Sequence, residues 1–156
     1  MQQKEQKDKK QKPFKPQKLD GRTYTMCGKT FQIYSLEGFD FENNIDIGAG
    51  CGLYCFSKRI GEIDSVIKNG ESWLRLSHAL LYLGKSNDFT KRPYEHDKLS
   101  ELKDAEYLGV YYCNESEDPK EIESTILKKY FFSENKQENK EQEDRKISVV
   151  EDPVNL

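Results

Sequence analysis

The chain has 156 residues, a mean hydropathy of -0.93, 34% charged residues and a formal net charge of -3. A chain this short is expected to hold one domain, and this polarity is too high for all of it to be packed, so the polar excess should gather at the ends. No stretch approaches the ~20 apolar residues of a membrane span, and a slightly acidic balance (pI 5.6) argues against a nonspecific grip on nucleic-acid phosphates.

The first segment, 1–21, carries Lys4, Lys7, Lys9, Lys10, Lys12, Lys15 and Lys18 against Glu5 and Asp8. It offers almost nothing to bury and reads as a disordered basic tail. It lacks the apolar region of a secretory signal, which points to a cytoplasmic protein with no membrane partner and with Cys27, Cys51, Cys55 and Cys113 reduced.

Residues 22–50 form an extension. Arg22 to Met26 and Lys29 to Tyr34 alternate around Cys27-Gly28, the pattern of a hairpin, and Gly38 to Ala49 reads as a loop. The main domain, 51–135, opens with the strand Cys51-Gly52-Leu53-Tyr54-Cys55-Phe56. A polar insertion follows at 57–79, with a turn at Asn69-Gly70 and a further short strand at Trp73-Leu74-Arg75-Leu76. The spacing Cys51-x-x-x-Cys55 lacks a second ligand pair and is a poor zinc signature.

Leu80 to Leu83 reads as a buried strand. It breaks at Gly84 and passes through Lys85-Ser86-Asn87-Asp88 to a segment carrying Lys91, Arg92 and His96. A strand-to-helix turn of this kind can present backbone N–H groups to a phosphate. Pro93 places the start of the next helix close to itself, with the helix running to about Lys103. Arg92 and His96 are then one turn apart on one face. Tyr107 to Cys113 is another strand. Asp118-Pro119-Lys120-Glu121 has the cap, first-position proline and following glutamate of a helix start, and Ile122, Ile126, Leu127 and Tyr130 form that helix's apolar stripe. Residues 136–156 read as a second disordered, charged tail.

The expected fold is α+β, with a small, mostly antiparallel sheet. If the strands of Tyr54 and Tyr82 pair, both hydroxyls open onto one pocket beside the turn that leads to Arg92. Glu123 would add a carboxylate there, and one carboxylate with waters and substrate phosphates is a common way to hold Mg²⁺. Singly, each residue has an ordinary explanation: packed tyrosines, a helix-surface acid, a surface cation. Together they supply a phosphate clamp, a metal anchor and proton-transfer groups.

The set resembles the GIY-YIG nuclease family. Gly52-Leu53-Tyr54 is similar to the first motif and Tyr82-Leu83-Gly84 to the second. Arg92 stands ten positions after Tyr82 and His96 four beyond it. Glu123 precedes an apolar helical run, and Asn135 comes twelve residues later. The resemblance covers Gly52 to Asn135. It implies a three-stranded antiparallel sheet flanked by helices, with Tyr54, Tyr82, Arg92, His96 and Glu123 catalytic and Glu123 holding Mg²⁺ or Mn²⁺. Gly84, Lys85, Ser86, Asn87, Lys91 and Asn135 would face the substrate. The implied activity is metal-dependent endonuclease cleavage of nucleic acid, DNA before RNA, with a homodimer needed if both strands are cut. The chain departs from the family pattern in the long insertion 57–79, in Pro93 directly after the arginine, and in lacking a proline before Asn135. The alternative is a catalytically inactive nucleic-acid-binding or protein-interaction module on the same fold.

Overall fold

A computed structural model describes residues 12–41, 43–90, 102–135 and 149–155. Its described elements are β1 (Gln17–Met26), β2 (Lys29–Ser35), β3 (Gly52–Lys68), β4 (Glu71–Ser86), β5 (Tyr107–Tyr112), α1 (Pro119–Lys129) and β6 (Val149–Asn155).

The strands form one antiparallel sheet in the order β1-β2-β5-β3-β4-β6. This corrects the expected α+β fold: the molecule is mostly β, with one helix among the described residues, not a three-stranded sheet flanked by helices. The strands widen the sheet from several directions. β1 and β2 form a hairpin whose turn residues, Cys27 and Gly28, both have positive φ, as a two-residue turn matching the strand twist requires. The stretch 57–79 is no loop. It is the long arm of the β3–β4 hairpin, closed by Asn69 and Gly70, also at positive φ. The segments expected to be disordered also contribute strands: β1 starts at Gln17 and β6 occupies 149–155.

Alternation along the strands splits the core in two. On one face, Tyr24, Met26, Phe31, Ile33, Leu53, Cys55, Leu80, Leu83 and Val150 pack with Ile126 and Leu127 of α1 and with Phe132. The sheet curls around this face until its edge strands β1 and β6 approach each other, joined by the Arg22–Asp152 ion pair at 2.7 Å. The other face is covered by the segment after β2. Leu36, Phe39, Ile45 and Ile47 pack there on Tyr54, Phe56, Leu108 and Val110, with Phe89 and Leu102. α1 begins as its sequence dictates, with the Asp118 carboxylate accepting from the Lys120 amide and Pro119 at the first turn. Among the described residues, no helix is long and apolar enough to cross a membrane.

Candidate functional site

Pairing of β3 with β4 sets the two tripeptides side by side: Gly52 opposite Ser86, Tyr54 opposite Gly84, Phe56 opposite Tyr82. Both glycines are steric requirements. A Cβ on Gly52, whose φ is +154°, would lie 1.9 Å from the Tyr111 carbonyl oxygen of β5. A Cβ on Gly84 would lie 2.3 Å from Tyr54 Cζ and 2.4 Å from its hydroxyl oxygen. The Tyr54 phenol therefore lies across β4 on the space a larger residue would fill. Tyr54 is 4% exposed, with its ring 6.3 Å from that of half-buried Tyr82.

The next residue, Lys85, points to the opposite face, where α1 packs, and its Nζ donates to Glu123 Oε1 at 3.3 Å. Tyr54 and Tyr82 thus belong to the outer cluster, while Glu123 stands on the helix side. The two groups meet at one place only, the end of β4 around Gly84 and Lys85. A single pocket receiving both tyrosine rings and the carboxylate from one face is not what the sheet builds.

Beyond Lys85 the chain turns tightly. Ser86 Oγ accepts from the Asp88 amide at 3.1 Å, Asp88 Oδ1 accepts from the Thr90 amide at 2.9 Å, and the Phe89 amide donates to the Gly50 carbonyl at 2.7 Å. Three amides that a phosphate-facing turn would offer are therefore committed within the protein. Asn87 is exposed on this turn. Asn135, expected to face substrate, is 9% exposed and clamps β4 instead: its Oδ1 accepts from the Leu83 amide and its Nδ2 donates to the Leu83 carbonyl, both at 2.8 Å. Lys91, Arg92 and His96, and the helix expected from Pro93, lie outside the described residues, apart from Leu102 and Lys103 at its end.

Glu123 is the carboxylate that would meet Mg²⁺ or Mn²⁺ beside Lys85 at this end of β4. Among the described residues no three His, Cys, Asp or Glu side chains gather around a common point. Glu123, with a side chain 13% exposed, fits a hard cation whose remaining ligands are water and substrate phosphate oxygens.

The most concentrated polar chemistry lies elsewhere. Ser57, His78 and Asp152 are each 0% exposed. Ser57 Oγ is 3.2 Å from His78 Nδ1, and His78 Nε2 is 3.3 Å from Asp152 Oδ2. The same oxygen accepts from Arg22 Nε at 3.0 Å and Nη2 at 2.7 Å. Four strands each contribute one member. Nothing in the sequence brings these residues together, since 130 positions separate Arg22 from Asp152. The one available signal was an isolated His inside a strand-forming run. The buried groups beside them are held neutral: burial raises the Tyr24 hydroxyl well above its usual range and pushes the Cys55 thiol to about 12.

In comparison with known proteins, the chain matches no family model, no curated protein and no solved structure.

Proposed function

We propose that the chain is an endonuclease that hydrolyses phosphodiester bonds of nucleic acid, DNA before RNA, at the end of β4. The observation that carries this reading is the seating of the Tyr54 phenol on Gly84 while the adjacent Lys85 holds Glu123. The phenol on one face and the Lys85–Glu123 pair on the other thus flank two consecutive residues at the end of one strand. The sequence places Arg92 and His96 just beyond the turn that leaves it.

In this reading Tyr54 accepts the proton of the attacking water. A phenol titrates near ~10 when unperturbed, so this role needs a cation on the Tyr54 face of the sheet, such as the divalent metal itself, to favour the phenolate. Arg92 grips the scissile phosphate through its planar pair of donors, and His96 carries a proton to or from the reacting oxygens. Glu123 is the protein's metal ligand. A divalent cation held there would neutralise charge on the phosphate and acidify a bound water.

Supercoiled plasmid, branched DNA and RNA, each incubated with Mg²⁺ and with Mn²⁺, test the assignment. Cutting is expected with at least one substrate. It should fall by about 100-fold or more in Glu123→Ala and in Arg92→Ala, the scale of losing a group that stabilises transition-state charge. Undiminished cutting by both variants rules the site out.

One observation favours a second reading. The amides of Asp88, Phe89 and Thr90 are already bonded internally, which takes one phosphate-holding device out of the site and suits a catalytically inactive module that binds nucleic acid through other groups. Salt-sensitive binding with no cleavage under either metal would select that reading.

A further inference from the structure

The buried line from Arg22 through Asp152 and His78 to Ser57 has no part in the chemistry above. We infer that it is a proton-operated latch: a neutral His78 fastens β6 to β4, and protonation of that imidazole releases β6.

The hydrogen-bond inventory fixes the neutral arrangement. A carboxylate only accepts, so His78 Nε2 carries the hydrogen directed at Asp152 Oδ2. Nδ1 then accepts from the Ser57 hydroxyl. The compartment holds one guanidinium and one carboxylate, paired at 2.7 Å, and is balanced. A proton on Nδ1 leaves Arg22 and His78 as two cations sharing the one Asp152 carboxylate, and it removes the acceptor of the Ser57 hydroxyl.

The elements around the imidazole present few charged groups. β1 presents Arg22 and the Tyr24 ring, whose centroid is 5.5 Å away. β5 presents the Tyr107 ring at 5.0 Å. β3 presents Ser57, with the neutral Cys55 thiol on the same inner face, and β6 presents Asp152. Among the described residues, the other acids near this ladder, Glu151 and Asp64, are exposed and paired with Arg75. Among the described residues no second buried carboxylate faces the imidazole.

The strand that suffers is β6. It is an edge of the sheet, held by its ladder to Trp73–Ala79 of β4. Among its described side chains only Val150 and Asp152 are buried, whereas Val149 is 44% exposed. Asp152 is thus half of its described side-chain anchorage. It is also the link through Arg22 that draws β1 and β6 together. The other strands keep their apolar anchors when Asp152 is disturbed.

Backbone hydrogen exchange of the full chain, read by mass spectrometry at about pH 7.5 and about pH 5.5, brackets the unperturbed imidazole range. After correction for intrinsic rates, peptides covering 73–79 and 149–155 should lose protection by about tenfold or more at the lower pH. Those from β1, β2 and β5 should keep it. In His78→Gln, which can hydrogen-bond but not charge, protection should persist at both values. Unchanged protection in the native chain, equal loss in His78→Gln, or simultaneous loss across the whole sheet would each overturn the latch. Should His78→Gln fail to fold, the His78 imidazole resonances of the native chain decide. They must titrate with the same midpoint as the release of β6, and titration without release, or release without titration, overturns it. Neither readout involves cleavage, so the outcome is independent of the nuclease assignment.

Discussion

Two tyrosine rings in this molecule lie on glycines of another strand, one on each face of the sheet: Tyr54 of β3 on the adjacent β4, and Tyr24 of β1 reaching across β2 to β5. On the outer face Tyr54 covers Gly84; on the inner face a Cβ at Gly109 would lie 2.2 Å from the Tyr24 hydroxyl. A ring laid flat across a strand needs a residue without a side chain beneath it, so tyrosine and glycine select each other whether or not any chemistry follows. For Gly84→Ala the ring has little room to yield, because Tyr54 is 4% exposed and packed among Phe56, Leu108 and Val110. The expected loss is about 1–3 kcal/mol, the range for forcing an extra methyl into a filled core, measured from urea unfolding midpoints. An unshifted midpoint would mean that the phenol does not rest on Gly84. The pairing of Gly52-Leu53-Tyr54 with Tyr82-Leu83-Gly84 was therefore legible from sequence, but the same letters also encode a packing contact, and letters alone do not separate packing from chemistry.

At the scale of elements, β4 is the strand on which everything converges, and its outer edge is closed in two parts. β6 covers Trp73 to Ala79. Farther along, the segment after α1 takes over: the Glu134 amide donates to the Leu81 carbonyl at 2.8 Å, and the Asn135 carboxamide satisfies both backbone groups of Leu83. Asn135→Ala would leave a buried N–H and a buried C=O unpaired, at about 1–3 kcal/mol for each group. Its thermal midpoint should fall well below that of the native chain, with Asn135→Asp, which keeps the acceptor and loses the donor, between them. Equal midpoints in all three proteins would show that water replaces the clamp. Elements with local signals, the α1 cap and the Cys27-Gly28 and Asn69-Gly70 turns, could be read directly. The length of β3 and β4 could not. Register shifts between Phe56 and Ser57 and between Ile60 and Asp64 break the alternation that would announce a continuous strand. β6 was hidden by Pro153 and by its charged neighbourhood, both compatible with an edge strand and with little else in a sheet.

For the whole molecule, the polar ties that hold distant parts of the chain respond to acid at different points. Glu117, just before α1, accepts from Lys29 Nζ at 2.7 Å, from the Tyr111 hydroxyl at 2.7 Å and from the Asn114 amide at 3.0 Å. It thereby links the β1–β2 turn, β5 and the helix entry. The Lys29 ammonium, then the Asn114 amide and the Tyr111 hydroxyl, hold its carboxyl down at about 2, against 4.5 for a free one. A carboxyl depressed by folding contributes its stabilisation fully above the unfolded value. That contribution drains away as pH falls from about 4.5 toward about 2, because the unfolded chain takes up the proton first. The latch inferred at His78 would act through a different group and in one strand, over the interval that brackets an ordinary imidazole. Acidification should therefore proceed in two separable stages, with β6 leaving first and the remaining sheet weakening below about pH 4.5. Urea midpoints measured across the lower interval should fall less steeply in Glu117→Gln than in the native chain, while the earlier loss of protection at 149–155 stays unchanged in that variant. Parallel slopes would show that the Lys29–Glu117–Tyr111 tie does not set acid stability. A shifted first stage would show that the Glu117 and His78 clusters titrate as one system.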